Sequence, residues 1–91
     1  MATLHLIATS PSTCKLSDLC AAVSQGDALL FIEDGVYFAQ DLHSLSPLPT
    51  QQYFFLGEDA AARGISAPDR CVDYIGFVDL TAQYERSLSW F

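Results

Sequence analysis

The residues of this 91-residue chain best suited to covalent chemistry are its three cysteines, Cys14, Cys20 and Cys71. Cys14 stands beside Lys15, just ahead of an apolar stripe that predicts a helix. A helix N-terminus and a neighbouring cation both lower a thiol pKa and favour the nucleophilic thiolate. Cys20 falls on the stripe itself, where the ordinary reading is a small buried hydrophobe. Cys71 opens a short β-favouring stretch and reads as structural. On physical grounds Cys14 is therefore the better thiolate. The count is odd and no CxxC or CxxH spacing occurs. Free thiols in a reducing cytoplasm fit that pattern better than a disulfide framework or a zinc site.

The other reactive types offer less. Glu33-Asp34 and Glu58-Asp59 each sit where a predicted strand passes into a helix, and acids there are favoured by the helix dipole alone. His5 and His43 have no ligand-spaced neighbour, so neither a metal site nor a Ser-His-Asp order follows. There is no GxGxxG and no P-loop lysine motif, which removes a dinucleotide or nucleotide site. Four Lys+Arg stand against eleven Asp+Glu, a formal charge of −7. Lys15, Arg63, Arg70 and Arg86 are scattered, so the chain lacks the basic face that neutralises phosphates. No segment approaches a membrane span, and Met1–Ser12 does not read as a signal peptide.

These residues need elements to hold them. Gly26-Asp27 is a turn signal, and Ala28–Ile32 is an unbroken apolar run of the kind buried on both faces of a sheet. Thr3–Thr9 predicts an earlier strand, broken by Pro11, after which Ser12 or Thr13 is placed to cap a helix. Leu16, Leu19, Cys20 and Val23 form its buried stripe. Val36, Tyr37 and Ala39 suit a short helix, and Leu42–Thr50 reads as a loop. Gln51–Leu56 predicts a third strand, and Gly57–Ala62 a helix ended by Arg63-Gly64. Cys71–Tyr74 predicts a fourth strand. Gly76 precedes a last helix with Phe77, Leu80, Tyr84 and Leu88 on one face.

The alternation argues for one α/β domain over residues 1–91: a small three-layer sandwich with a mostly parallel four- or five-stranded sheet. Hydrophobic residues make up 51% of so short a chain. Part of that apolar surface is expected at a subunit interface, with Phe77, Tyr84, Trp90 and Phe91 as candidate contacts.

Several fragments, in order, carry a family likeness: LHLIATSP, DLCAAV, GDALLFIEDGVYFA, Leu56–Asp59 with Ala62–Gly64, Asp73-Tyr74 with Gly76–Thr81, and Ser89–Phe91. Together they resemble the DsrH/TusB family from end to end. The resemblance implies a DsrE/F/H-like fold and one subunit of a TusBCD or DsrEFH assembly, a dimer of heterotrimers. It implies TusC- and TusD-like partner subunits, with TusA- and TusE-like carriers reached through the complex. Such an assembly relays sulfur as cysteine persulfide, without another cofactor, towards 2-thiouridine at the tRNA wobble position. Its DsrEFH counterpart serves dissimilatory sulfur oxidation. The essential relay cysteine of the family lies on the D or DsrE subunit, so the resemblance implies a non-catalytic subunit, the alternative being a persulfide-carrying subunit that uses Cys20. Some DsrH-type members carry a cysteine in the first helix, a position that Cys20, at the end of Leu16-Ser17-Asp18-Leu19-Cys20, is taken to match. The resemblance thus points to Cys20, where thiol chemistry alone points to Cys14.

Overall fold

The computed structural model describes residues 2–66 and 68–90. Five parallel strands form one sheet: β1 (Thr3–Ile7), β2 (Ala28–Phe31), β3 (Tyr53–Leu56), β4 (Cys71–Val72) and β5 (Arg86–Trp90). Their order across the sheet is β4-β3-β2-β1-β5. The α-helices are α1 (Leu16–Ala22), α2 (Gly57–Ala62) and α3 (Tyr74–Gln83). A 3-10 stretch, Glu33–Leu45, joins β2 to the segment before β3 and is kinked at Asp41.

The strand order explains the layering. Steps from β1 to β2 to β3 to β4 run one way across the sheet, and right-handed crossovers put their connections on one face. The step from β4 back to β5 runs the other way, so α3 covers the opposite face. The two sides are unequal. Beneath α1, α2 and the 3-10 stretch lies the larger core, which includes Ile7, Leu19, Leu29, Phe31, Val36, Leu45 and Phe55. Phe31 stacks on Phe55 with ring centroids 4.9 Å apart. Among the described residues, the α3 side holds only Leu4, Ala28, Leu30 and Leu80 as buried members. Leu6, Ile32, Phe54 and Val72 pack against them but stay half-buried. One ten-residue helix is too little cover for a five-stranded face.

The expected fold class holds, and four details differ. Residues 86–90 form β5 beside β1, in the register Leu88↔His5 and Trp90↔Ile7. Leu88 is therefore a strand residue, not part of the last helix, because the helix ends at Gln83 and the alternation of RSLSW takes over. β4 is only two residues long, and Tyr74 opens α3 instead of ending the strand. Asp73 caps that helix, its side chain accepting from the Gly76 amide at 2.7 Å. Helix α1 starts late: Lys15 occupies the N-cap with no side-chain hydrogen bond, so neither Ser12 nor Thr13 caps it. Finally, the loop expected at Leu42–Thr50 is helical as far as Leu45.

Candidate functional site

The three thiols are free and sit at different depths around the larger core. Cys14 directly precedes the α1 N-cap, Lys15, instead of opening the helix. It is buried, and burial pushes its thiol up. A hydrogen bond with Thr9 pulls the other way, and the negative charge of Asp18 adds to the rise. The lowered pKa expected from sequence is thus reversed, because the chain closes over Cys14 before the helix begins. Cys20 lies on α1, half-buried against the same core. Cys71 is half-buried on the β4 edge and lines an open groove of about 420 Å³ with Gly57, Glu58, Ala61, Val72 and Asp73. A two-residue strand gives no periodicity, so its sequence carried no sign that Cys71 borders an opening.

At the carboxyl ends of the strands, where α/β folds gather function, the paired acids knit neighbouring loops. The Glu33 amide donates to Asp59 Oδ2 at 2.6 Å. Arg63 Nε donates to Asp34 Oδ1 at 3.1 Å, and Arg63 Nη1 to the Asp59 carbonyl at 3.2 Å. Glu33 itself takes a left-handed φ of 49°. A second cavity of about 310 Å³ lies here between Pro11, Leu16, Tyr37, Phe38, Gln40, Asp41 and Ser44. Its lining is largely apolar, and the Ser44 hydroxyl donates there to the Asp41 carbonyl at 2.7 Å. Among the described residues, no three His, Cys, Asp or Glu side chains group closely enough to hold a metal ion.

The opposite end of the sheet holds a buried polar network that the sequence did not announce. Asp27, read as a turn residue, accepts at 2.9 Å from each of the Thr3 amide, the Ser24 amide and His5 Nε2. Burial pushes the Asp27 carboxyl up, but the bonds from Ser24, His5 and Thr3 outweigh it and hold it below the usual carboxylate range. Trp90 Nε1 donates to His5 Nδ1 at 3.1 Å. An indole N–H can only donate, so Nδ1 accepts and the ring proton on Nε2 is given to Asp27. Next to this network is a cavity of about 340 Å³, bordered also by Ala22, Arg86, Ser87 and Leu88. The network pins β5 to β1 and β2. Replacing Trp90 with Phe removes one of these bonds, at a cost of about 1 kcal/mol. Faster hydrogen exchange at the β5 amides, with α2 unchanged, would register it.

Three of the expected contact residues, Phe77, Tyr84 and Trp90, are half-buried. Phe77 and Tyr84 pack on the smaller core, Trp90 packs on the larger one, and Phe91 lies outside the described residues. Among the described residues, the exposed large apolar side chains are Leu42, Tyr74, Ile75, Val78 and Leu88, three of them on α3. The 3.6-residue period singled out the inward stripe of α3 and passed over its outer face.

Comparison with known proteins gives one consistent answer. The family model described as "DsrH like protein" matches residues 9–87. The protein named TusB of Yersinia enterocolitica is 37% identical over 96% of this chain and 99% of its own length. The protein of the same name from Escherichia coli K12 is likewise 37% identical, with the same coverage. Among solved structures, the NMR structure of protein Tm0979 from Thermotoga maritima superposes with a TM-score of 0.71. It is 26% identical and covers 93% of this chain and 95% of that one. Among the described residues, no helix is long and apolar enough to cross a membrane.

Proposed function

The chain belongs to the DsrH family, a family of sulfur-relay subunits, and from that premise we propose that it is the B-type subunit of a cytoplasmic TusBCD-type complex. In this reading the complex accepts persulfide sulfur from a TusA-like carrier and passes it through TusC- and TusD-like subunits to a TusE-like carrier. The sulfur ends in 2-thiouridine at the tRNA wobble position. The observation that carries the reading is the end-to-end likeness to proteins named TusB.

The chemistry of the chain agrees with a supporting role. Persulfide transfer is attack by a thiolate on the outer sulfur of a donor persulfide: a new S–S bond forms, the old one breaks, and the donor leaves as thiolate. Such attack needs an accessible thiolate. Cys14 is buried with its thiol pushed up, which disfavours it as an acceptor. Cys20 is half-buried and remains the one thiol of this chain at a position the family also uses for cysteine. The net charge of −7 keeps RNA at a distance, so sulfur reaches tRNA through other proteins.

Two measurements test this. Intact mass is read after mixing the chain with a persulfidated TusA-type donor, for wild type, Cys14→Ser and Cys20→Ser. A supporting subunit gains no sulfur in any of the three. One sulfur retained by wild type and lost only in Cys20→Ser would instead make Cys20 a carrier and this chain part of the relay. Deleting the gene separates the two pathways. Loss of 2-thiouridine from tRNA is expected; intact thiolation with impaired sulfur oxidation would move the chain to a DsrEFH-type complex.

A further inference from the structure

His5 has both ring nitrogens committed, and only one state of the ring satisfies the two bonds together. Nε2–H is given to Asp27 Oδ2 at 2.9 Å, and Nδ1 accepts the Trp90 indole N–H at 3.1 Å. A neutral imidazole offers one donor and one acceptor, whereas the imidazolium offers two donors. A proton added at Nδ1 sets two N–H groups face to face, because an indole can only donate. The Asp27 end holds. Its carboxylate is fixed by the Thr3 and Ser24 amides as well as by His5. Its pKa lies below the usual carboxylate range, so it is ionised wherever a histidine titrates. The Trp90 end has less to hold it. β5 pairs with β1 alone, four of its five residues are exposed, and Trp90 is half-buried.

The charges that face the ring are few. Asp27, in the turn before β2, favours the cation, and Arg86, which opens β5 and borders the same cavity as His5, opposes it. The end of α1 and the turn after it bring the uncharged Ala22 and Ser24. Lys15 and Asp18 stand at the start of that helix. Across the sheet, His5 lies between Leu29 of β2 and Leu88 of β5. Its strand neighbours Leu4 and Leu6 turn to the α3 side, so Asp73 and Asp79 of that side lie across the sheet from the ring.

We propose that His5 is a proton-sensitive catch for β5: protonation at Nδ1 breaks its bond with Trp90 and loosens the strand from β1, while the bond to Asp27 stays. A fall in pH through the range where histidine titrates thereby alters one edge of the sheet and leaves the core around Phe31 and Phe55 in place.

Trp90 is the one tryptophan of the chain, so a single indole N–H signal in the proton NMR spectrum of the full chain reports the bond. As pH falls from about 8 to about 5.5, that signal is expected to move upfield with the same midpoint as the His5 ring nitrogens. Protection of the β5 amides, taken relative to unstructured peptide at each pH, should drop about fivefold, and that of the β3 amides should hold. His5→Gln keeps a donor and an acceptor but does not titrate, and it should flatten the response. His43→Gln, at the other and exposed histidine, should leave it. A His5 ring that titrates while the indole signal stays in place overturns the proposal, as does a ring that stays neutral throughout. Both outcomes are read on wild type, so they decide even where His5→Gln fails to fold. An indole shift that persists in folded His5→Gln, or vanishes in His43→Gln, would belong to another group and overturn it too.

Discussion

Replacing Gly35 with alanine is expected to cost the fold about 3 kcal/mol or more, at the top of the range for overpacking. A Cβ at this position would stand 2.0 Å from the Ile7 carbonyl oxygen and 2.9 Å from its carbon. The obstacle is the backbone of β1, which cannot swing aside as a side chain would. That same carbonyl accepts from the Ile32 amide at 2.9 Å, so retreat would break the bond tying the end of β2 to β1. Gly26→Ala is the control, because nothing lies within 4 Å of its added carbon. Urea midpoints of the two variants should therefore diverge sharply. A Gly35→Ala midpoint equal to that of Gly26→Ala would mean that the β2 exit can move away from β1.

The second large effect is at Asp27. Asp27→Ala leaves the Thr3 amide, the Ser24 amide and His5 Nε2 without their acceptor in a buried site. Breaking such a cluster by removing its charged member costs about 3 kcal/mol or more. The same residue sets a pH dependence. Its carboxyl lies below its ordinary value in the folded protein, so the folded state favours the ionised form. The resulting stability is fully present above the unfolded pKa, about 4 for a carboxylate. It is lost as pH falls through the lower folded value. Denaturation followed from pH 6 downward should show wild type weakening in that acid window. Asp27→Asn, which no longer titrates, should start weaker and lose less. An equal acid response in both proteins would assign the loss to other carboxylates.

Much of the architecture was legible because burial imposes patterns. The continuous run Ala28–Ile32 announced a central strand, and Ala28–Phe31 are fully buried while Ile32, just past the strand, is half-buried. Gly64 was legible as a helix terminator, and it takes the left-handed φ of 69° that glycine tolerates. β5 was not legible, because Phe77, Leu80, Tyr84 and Leu88 keep helical spacing straight through the point where the helix stops. No proline or glycine marks the break between Gln83 and Arg86. The polar network was hidden for a different reason. Asp27 precedes its strand and His5 lies inside another, and only the β1–β2 register brings a turn acid within 2.9 Å of a strand histidine. For Cys14, local rules supplied a helix start and a lysine, while its burial depends on how the whole chain folds over it.

The β1–β5 pairing also bears on how the chain reaches this fold during synthesis. β1 is made first among the strands, yet its neighbour on one side is made last. Trp90 meets His5 across 85 positions of sequence. A chain emerging from the ribosome can assemble β1 through β4 in order, each new strand adding beyond the last. All that time the far edge of β1 stands open, with Nδ1 of His5 unbonded, until β5 arrives. Contacts of such long range close late and slow folding, and an unpaired parallel edge invites wrong partners while it waits. The last strand therefore covers the β1 edge, and takes its place as the edge of the sheet, only after Trp90 has left the tunnel.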